Sequence, residues 1–199
     1  MRSKDPDSPT RTKLLDAAQD LMLAKGFVAA TVDEVCAAAG VTKGSFFHYF
    51  ESKEELAKVL LERFSMAQAQ RFCDASAHAA DPLDRVYARI DYGIQAATSP
   101  QMKGCLVGTL AQEVCETHPE LRQICERSFN AVAAAVARDL IEAKKLHAPE
   151  ASFDAESLGE CFVALAQGSM LLIKATGHRA GMAANLRHFR SYLQTLYGR

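Results

Sequence analysis

Apolar residues recur at three- and four-residue spacing along most of the chain, and no stretch alternates as a half-buried strand does. The pattern predicts an all-α protein of about nine helices. Ser8 followed by Pro9 reads as a cap and a first-turn proline, so a first helix starts there. Leu14, Ala18, Leu21 and Met22 form its apolar stripe, and Gly26 stops it. Residues 2–7 before it are polar and charged and read as a loose tail. Phe27 falls in the next link and is expected to plug a small core. After two short helices, a fourth follows Ser52, with Leu56, Leu60, Phe64 and Ala67 on one face, and is expected to run to about residue 79.

Asp81-Pro82 opens a fifth helix, in which Leu83, Val86, Tyr87, Ile90, Ile94 and Ala97 keep helical spacing before Ser99-Pro100 closes it. Gly104 to Glu116 reads as a short sixth helix with Val107, Leu110 and Val114 inward. Thr117 to Glu120 starts a seventh, carrying Leu121, Ile124, Val132, Val136 and Leu140. A linker with Pro149 leads to an eighth from about Asp154 to Ala175, and a ninth spans about Gly181 to Leu196. These last two are apolar over broad faces: Phe162, Leu165, Met170, Leu172 and Ile173, then Met182, Leu186, Phe189, Leu193 and Leu196. Faces that broad imply burial on two sides.

Three helix starts crowd into residues 31–53. Thr31 with Glu34 is a capping box that opens a helix at Val32, and Gly40 ends that helix. Thr42 can cap a second, very short helix from Lys43 to Tyr49, and Ser52 with Glu55 makes another box. A short helix, a glycine turn and a second short helix is the helix-turn-helix plan. Phe46 and Phe50 are four apart and can face inward together, which leaves Lys43, Ser45, Phe47 and Tyr49 to point elsewhere. Lys43 and Ser45 fall in the first turn, where base edges are usually met.

The run T-K-G-S-F-F-H-Y-F-E-S-K-E-E-L resembles the signature of the TetR family of bacterial transcriptional repressors, and the upstream T-V-D-E-V-C-A-A-A-G-V fits the same family. The resemblance covers roughly residues 10 to 60. It implies a dimeric, all-helical, ligand-responsive repressor with a homeodomain-like helix-turn-helix domain over 1–53 and a ligand-sensing and dimerisation domain over 54–199. It also implies that helices eight and nine pair with their copies in a homodimer. Tyr49 and Lys53 resemble the family's phosphate-gripping pair, and many members carry tyrosine where this chain has Phe47. An exposed Phe47 ring could meet a thymine methyl. Thr31 and Thr42 could meet phosphate as well as cap. Lys43 reads as a groove or phosphate contact or as a solvated lysine, Ser45 as a base contact or a turn residue, and His48 as a phosphate contact or incidental.

Net charge of −1 gives no global pull toward nucleic acid. Residues 1–53 hold seven Lys/Arg and seven Asp/Glu, so binding to a double-stranded DNA operator must come from a local face, helix N-termini and doubling in a dimer. The N-terminus lacks the apolar core of a signal peptide, and no run of about 18 apolar residues suggests a membrane span, so a cytoplasmic location is expected. The six cysteines, at 36, 73, 105, 115, 125 and 161, include no Cys-x-x-Cys pair and read as free thiols. No Gly-rich phosphate loop, metal constellation or cofactor motif stands out, so the expectation is no enzyme, no cofactor and no metal. The rivals are a thiol-dependent enzyme and a ligand-insensitive DNA-bound activator or structural protein.

Residues 103–115, K-G-C-L-V-G-T-L-A-Q-E-V-C, resemble a TetR-family subgroup that responds to electrophiles, oxidants or small unsaturated acids. Cys105 would fall in the first turn of a helix, where peptide dipoles favour thiolate, with Lys103 nearby. It reads as a sensor or as an apolar filler, and Cys115 is a second candidate sensor. Cys36, Cys73, Cys125 and Cys161 read as core filler. A small-molecule inducer would bind among helices four to eight, with Phe64, Tyr87, Asp91, Gln112, Phe129 and Phe162 as positional candidates or plain core.

Overall fold

The structure, a computed structural model, describes residues 8–100 and 102–199. The expected loose tail at residues 2–7 lies outside them. The described residues form nine helices and no strand: α1 (Pro9–Lys25), α2 (Val32–Ala39), α3 (Lys43–Tyr49), α4 (Lys53–Ser76), α5 (Pro82–Thr98), α6 (Leu106–Val114), α7 (Pro119–His147), α8 (Ser157–Thr176) and α9 (Ala180–Tyr197).

They divide into two compact units: Met1–Met66 with Cys105–Glu126, and Ala67–Gly104 with Arg127–Arg199. The packing therefore does not follow a boundary at 53/54. The first half of α4, the opening turns of α7 as far as Glu126, and all of α6 belong with α1–α3. The reason is apolar: Leu106, Val107, Leu110 and Val114 on α6, and Leu121, Ile124 and Cys125 on α7, are buried, as are Leu14, Met22, Phe27, Phe46, Phe50, Leu56 and Leu60.

In the second unit, Leu83, Val86 and Ile90 of α5, Val136 and Leu140 of α7, Phe162 of α8 and Leu186, Phe189 and Leu193 of α9 form one core. Tyr197 Oη donates to the Leu140 carbonyl at 2.7 Å and pins the end of α9. Asn185 Nδ2 donates to Ser169 Oγ at 3.0 Å and ties α9 to α8. Arg89 and Asp139 form a buried ion pair that Arg85 joins, its Nε 3.0 Å from Asp139 Oδ1.

Several helix ends differ from the sequence reading. Ser8 precedes α1 without a side-chain cap, because its hydroxyl lies 2.7 Å from Tyr49 Oη instead. α4 stops at Ser76 in tight turns, short of 79. The box at Ser52 is half formed: Ser52 Oγ accepts from Glu55 N at 3.2 Å, but the Glu55 carboxylate takes the N–H of Glu51. α8 begins three residues later than expected, after Asp154 Oδ1 accepts from Glu156 N at 2.9 Å and holds a turn. Cys73 and Cys161 are exposed, so their reading as core filler is corrected: each falls on the outer side of its helix.

By length and composition alone α8 is long and apolar enough to cross a membrane, although polar residues interrupt its apolar run. Its two charges, Glu160 and Lys174, sit near its ends and leave residues 161–173 uncharged.

Gly26 breaks α1 with φ +88 and ψ 170, a region only glycine enters readily, and an added Cβ would run into the Glu113 carboxylate. Gly26→Ala is expected to destabilise the first unit by about 1–3 kcal/mol. A urea midpoint equal to wild type would show that the link does not need this conformation.

Candidate nucleic-acid interface

The turn between α2 and α3 is fixed at every polar group that matters. Thr31 and Glu34 exchange both bonds of a capping box: Thr31 N donates to Glu34 Oε2 at 3.0 Å, and Glu34 N donates to Thr31 Oγ1 at 3.3 Å. Gly40 ends α2 in the left-handed conformation at φ +66. Thr42 Oγ1 then caps α3 by accepting from Ser45 N at 3.1 Å.

α3 is seven residues long and two-faced. Phe46 is fully buried, with Phe50 just beyond the helix end 1% exposed, and their ring centroids are 5.7 Å apart. The opposite side shows Lys43, Gly44, Phe47 and His48 to solvent. Phe47 is 55% exposed, which is unusual for phenylalanine, and its ring is braced edge-on by Phe46 at 5.2 Å. Gly44 was not singled out from the sequence. It leaves the outer face bare between Lys43 and Phe47, a role visible only once the rotation of the helix is known. Lys43 Nζ rests 2.7 Å from Asp33, an exposed pair of little strength that a phosphate can replace.

The other predicted contacts have different partners. Ser45 is half-buried, with its hydroxyl 3.1 Å from Thr42 Oγ1. Tyr49 is half-buried and bonded to Ser8, with the exposed His48 ring against it at 4.8 Å. Lys53 turns inward. Its ammonium donates to the carbonyls of Phe27 and Ala30, each at 3.0 Å, and lies 4.3 Å from the centre of the Phe27 ring. Those carbonyls lie in the link between helices and lack helical partners, so the lysine satisfies them.

Across the same link comes α6. Glu113 Oε2 accepts from Val28 N at 3.0 Å, and the His118 ring meets Phe27 edge-on at 5.5 Å. Glu120 pairs with Lys58 of α4. Cys105 stands one residue before the expected first turn, as the cap itself: its sulfur accepts from Gly108 N at 3.4 Å, and it is half-buried. Cys115 is the C-terminal cap of α6, also half-buried.

Each of the six pocket candidates has its own surroundings. Phe162 is packed between Phe72 and Phe189, and Tyr87 is buried with its hydroxyl donating to the Arg199 carbonyl at 3.3 Å. Asp91 pairs with Arg190 at 2.6 Å, and Gln112 is exposed, donating to the Gly108 carbonyl. Phe64 and Phe129 are half-buried. A surface cavity of about 510 Å³ opens elsewhere, beside Lys144, Lys145, Phe153 and Asp154, and none of the six lines it. Among the described residues no group of three or more His, Cys, Asp or Glu is placed to hold a metal ion.

A glycine-turned helix pair with one short helix offered outward defines a helix-turn-helix DNA-binding regulator. The N-terminal model of bacterial regulatory proteins of the tetR family matches residues 14–60, and the tetracyclin repressor-like C-terminal domain matches residues 82–189. The chain belongs to the TetR family. The HTH-type transcriptional repressor NemR of Escherichia coli K12 is 28% identical over 197 residues, spanning 97% of this chain and 98% of its own length. The transcriptional regulator AcuR of Cereibacter sphaeroides is 30% identical over 175 residues, 85% of this chain and 78% of its own. The crystal structure of reduced E. coli NemR matches with a TM-score of 0.80 at 26% identity, over 92% of this chain and 96% of that one.

Glu34 is held down at about 2, first by the ammonium of Lys25, then by the hydroxyl and N–H of Thr31. A carboxyl whose value falls on folding stabilises above its ordinary value of 4.5, and that contribution fades as the pH drops toward 2. Protection of the Thr31 and Glu34 amides from hydrogen exchange should decline over that window in wild type. Identical profiles in Glu34→Gln would remove the carboxylate from the capping box.

Proposed function

We propose that this protein is a dimeric, non-enzymatic repressor that binds a palindromic operator in the cytoplasm and is released by a small ligand or by modification of Cys105. The observation that carries the DNA reading is the split of α3. Phe46 fixes it from inside, while Lys43, Gly44, Phe47 and His48 form one exposed face able to enter a major groove. Lys43 is the phosphate or base-edge contact, and Phe47 the apolar contact to a thymine methyl. Thr31, Thr42 and Ser45 act mainly as caps. Tyr49 and Lys53 hold the module together and leave phosphate to Lys43 and His48.

The second copy would sit on α8. Leu171 and Leu172 are 50% and 56% exposed, and an added Cβ at Gly168 meets nothing, whereas α9 spends Met182, Leu186, Phe189 and Leu193 inside its own chain. A face so apolar is left for another helix.

Release through Cys105 is supported by its place as the cap of a helix that packs in the same unit as the reading helices. A bulky adduct on that sulfur removes the Gly108 bond and displaces the start of α6, which holds Val28 through Glu113. The similarity to NemR, a repressor with a structure in its reduced form, points the same way.

Selection of bound duplexes from a random pool should return a palindrome with half-sites about one helical turn or more apart. Lys43→Gln should flatten the log-affinity against log-salt slope by about one unit per lost phosphate contact. Phe47→Ala should relax one base position per half-site. Lys53→Met should lower stability and leave the salt slope unchanged. A flattened slope in Lys53→Met with no change in Lys43→Gln would refute this placement.

For the sensor, operator release by a mild electrophile is compared in wild type and Cys105→Ser. Equal release in both excludes Cys105.

A further inference from the structure

α2 opens on two acids, Asp33 and Glu34. Glu34 is committed within its own surroundings: it closes the capping box with Thr31 and pairs with Lys25. Asp33 is held at the reading helix, its Oδ1 2.7 Å from Lys43 Nζ. The Asp33 side chain is 66% exposed and that of Lys43 61%. A pair so open to water adds little to stability, and an acid is favoured at a helix start whether or not it meets a neighbouring helix. Neither effect accounts for a carboxylate placed against Lys43.

Lys43 opens the exposed face of α3 that also carries Gly44, Phe47 and His48. Whatever part of a duplex the ammonium reaches while paired, the carboxylate is one hydrogen-bond length away. A duplex meets that carboxylate with phosphates, which repel it, and with base edges. In the major groove the base edges offer two kinds of donor, the N4 amino group of cytosine and the N6 amino group of adenine. An acid at this place opposes binding to any duplex that sets neither amino group against it. Lysine on a phosphate carries no such discrimination.

We propose that Asp33 is a specificity-determining residue that accepts from the exocyclic amino group of a cytosine or adenine in each half-site, while Lys43 donates to the phosphate or guanine beside it. The proposal rests on the operator-binding reading. Off the operator the two charges cancel. A lysine neutralised by its own carboxylate displaces no counterion, so Lys43 adds nothing to the hold on unrelated sequence. On the operator the amino group takes the carboxylate, and the ammonium is released to the duplex. The pair therefore widens the contrast between operator and other DNA, in a segment where residues 1–53 hold seven basic and seven acidic side chains.

Full-length wild type, Asp33→Ala, Asp33→Asn, Lys43→Gln and Phe47→Ala each select duplexes from a random pool, and affinities for the wild-type operator and a scrambled duplex are measured across salt. Wild type should require cytosine or adenine at one position per half-site by about tenfold. Asp33→Ala should lose that requirement and keep the rest of the palindrome. It should also bind the scrambled duplex up to about fivefold more tightly and steepen its salt slope by about one unit. Asp33→Asn should narrow the position to adenine, which an amide meets with two bonds, so the result does not depend on how well Asp33→Ala folds. Unchanged preference at every position in both Asp33 variants, or an equal gain on operator and scrambled duplex, overturns the proposal. In that case altered selection by Lys43→Gln or Phe47→Ala still upholds the DNA reading. A wild-type protein that selects no operator overturns both.

Discussion

The residues between α1 and α2 must turn sharply and leave polar backbone groups that no helix satisfies. Such groups cost about 1–3 kcal/mol each if desolvated without a partner. Here one ammonium and one carboxylate take them: Lys53 accounts for the carbonyls of Phe27 and Ala30, and Glu113 for the N–H of Val28. These two side chains come from separate parts of the chain, one at the start of α4 and one near the end of α6. The pose of α2 and α3 depends on both, because Phe27 and Ala30 are also buried beneath them.

That arrangement separates structural from functional charge. The basic residue that most resembles a phosphate grip is occupied inside, and the charge on the outer face of α3 is Lys43, paired with the exposed Asp33. A module with balanced charge keeps one lysine loosely committed at the helix start. α3 is too short to be stable alone, so its rigidity comes from the buried Phe46 and Phe50 and from the Thr42 cap.

Local signals were legible wherever a few neighbouring residues decide the outcome. The Thr31–Glu34 box, the Gly40 turn, the Thr42 cap and the inward pair Phe46 and Phe50 could all be read directly, as could the helical repeat behind each long helix. Long-range partners could not. Nothing near Lys53 shows that carbonyls 23 and 26 residues earlier would claim it, and nothing near Ser8 points to Tyr49. Cys73 and Cys161 lie among small and apolar residues yet face outward, because composition does not give the rotation of a helix against its neighbours. Pocket residues are not legible for a related reason: spacing marks residues that face inward, and it does not separate a cavity wall from a filled core.

The first compact unit is discontinuous, taking in Cys105–Glu126 as well as the N-terminal helices. Consider a head cut at the end of α3 and joined to another body. For this protein that cut would leave the Val28 amide and the Phe27 ring facing a foreign α6. A head transplanted with its own 105–126 segment carries its supports along, so the natural unit of exchange is two pieces of chain.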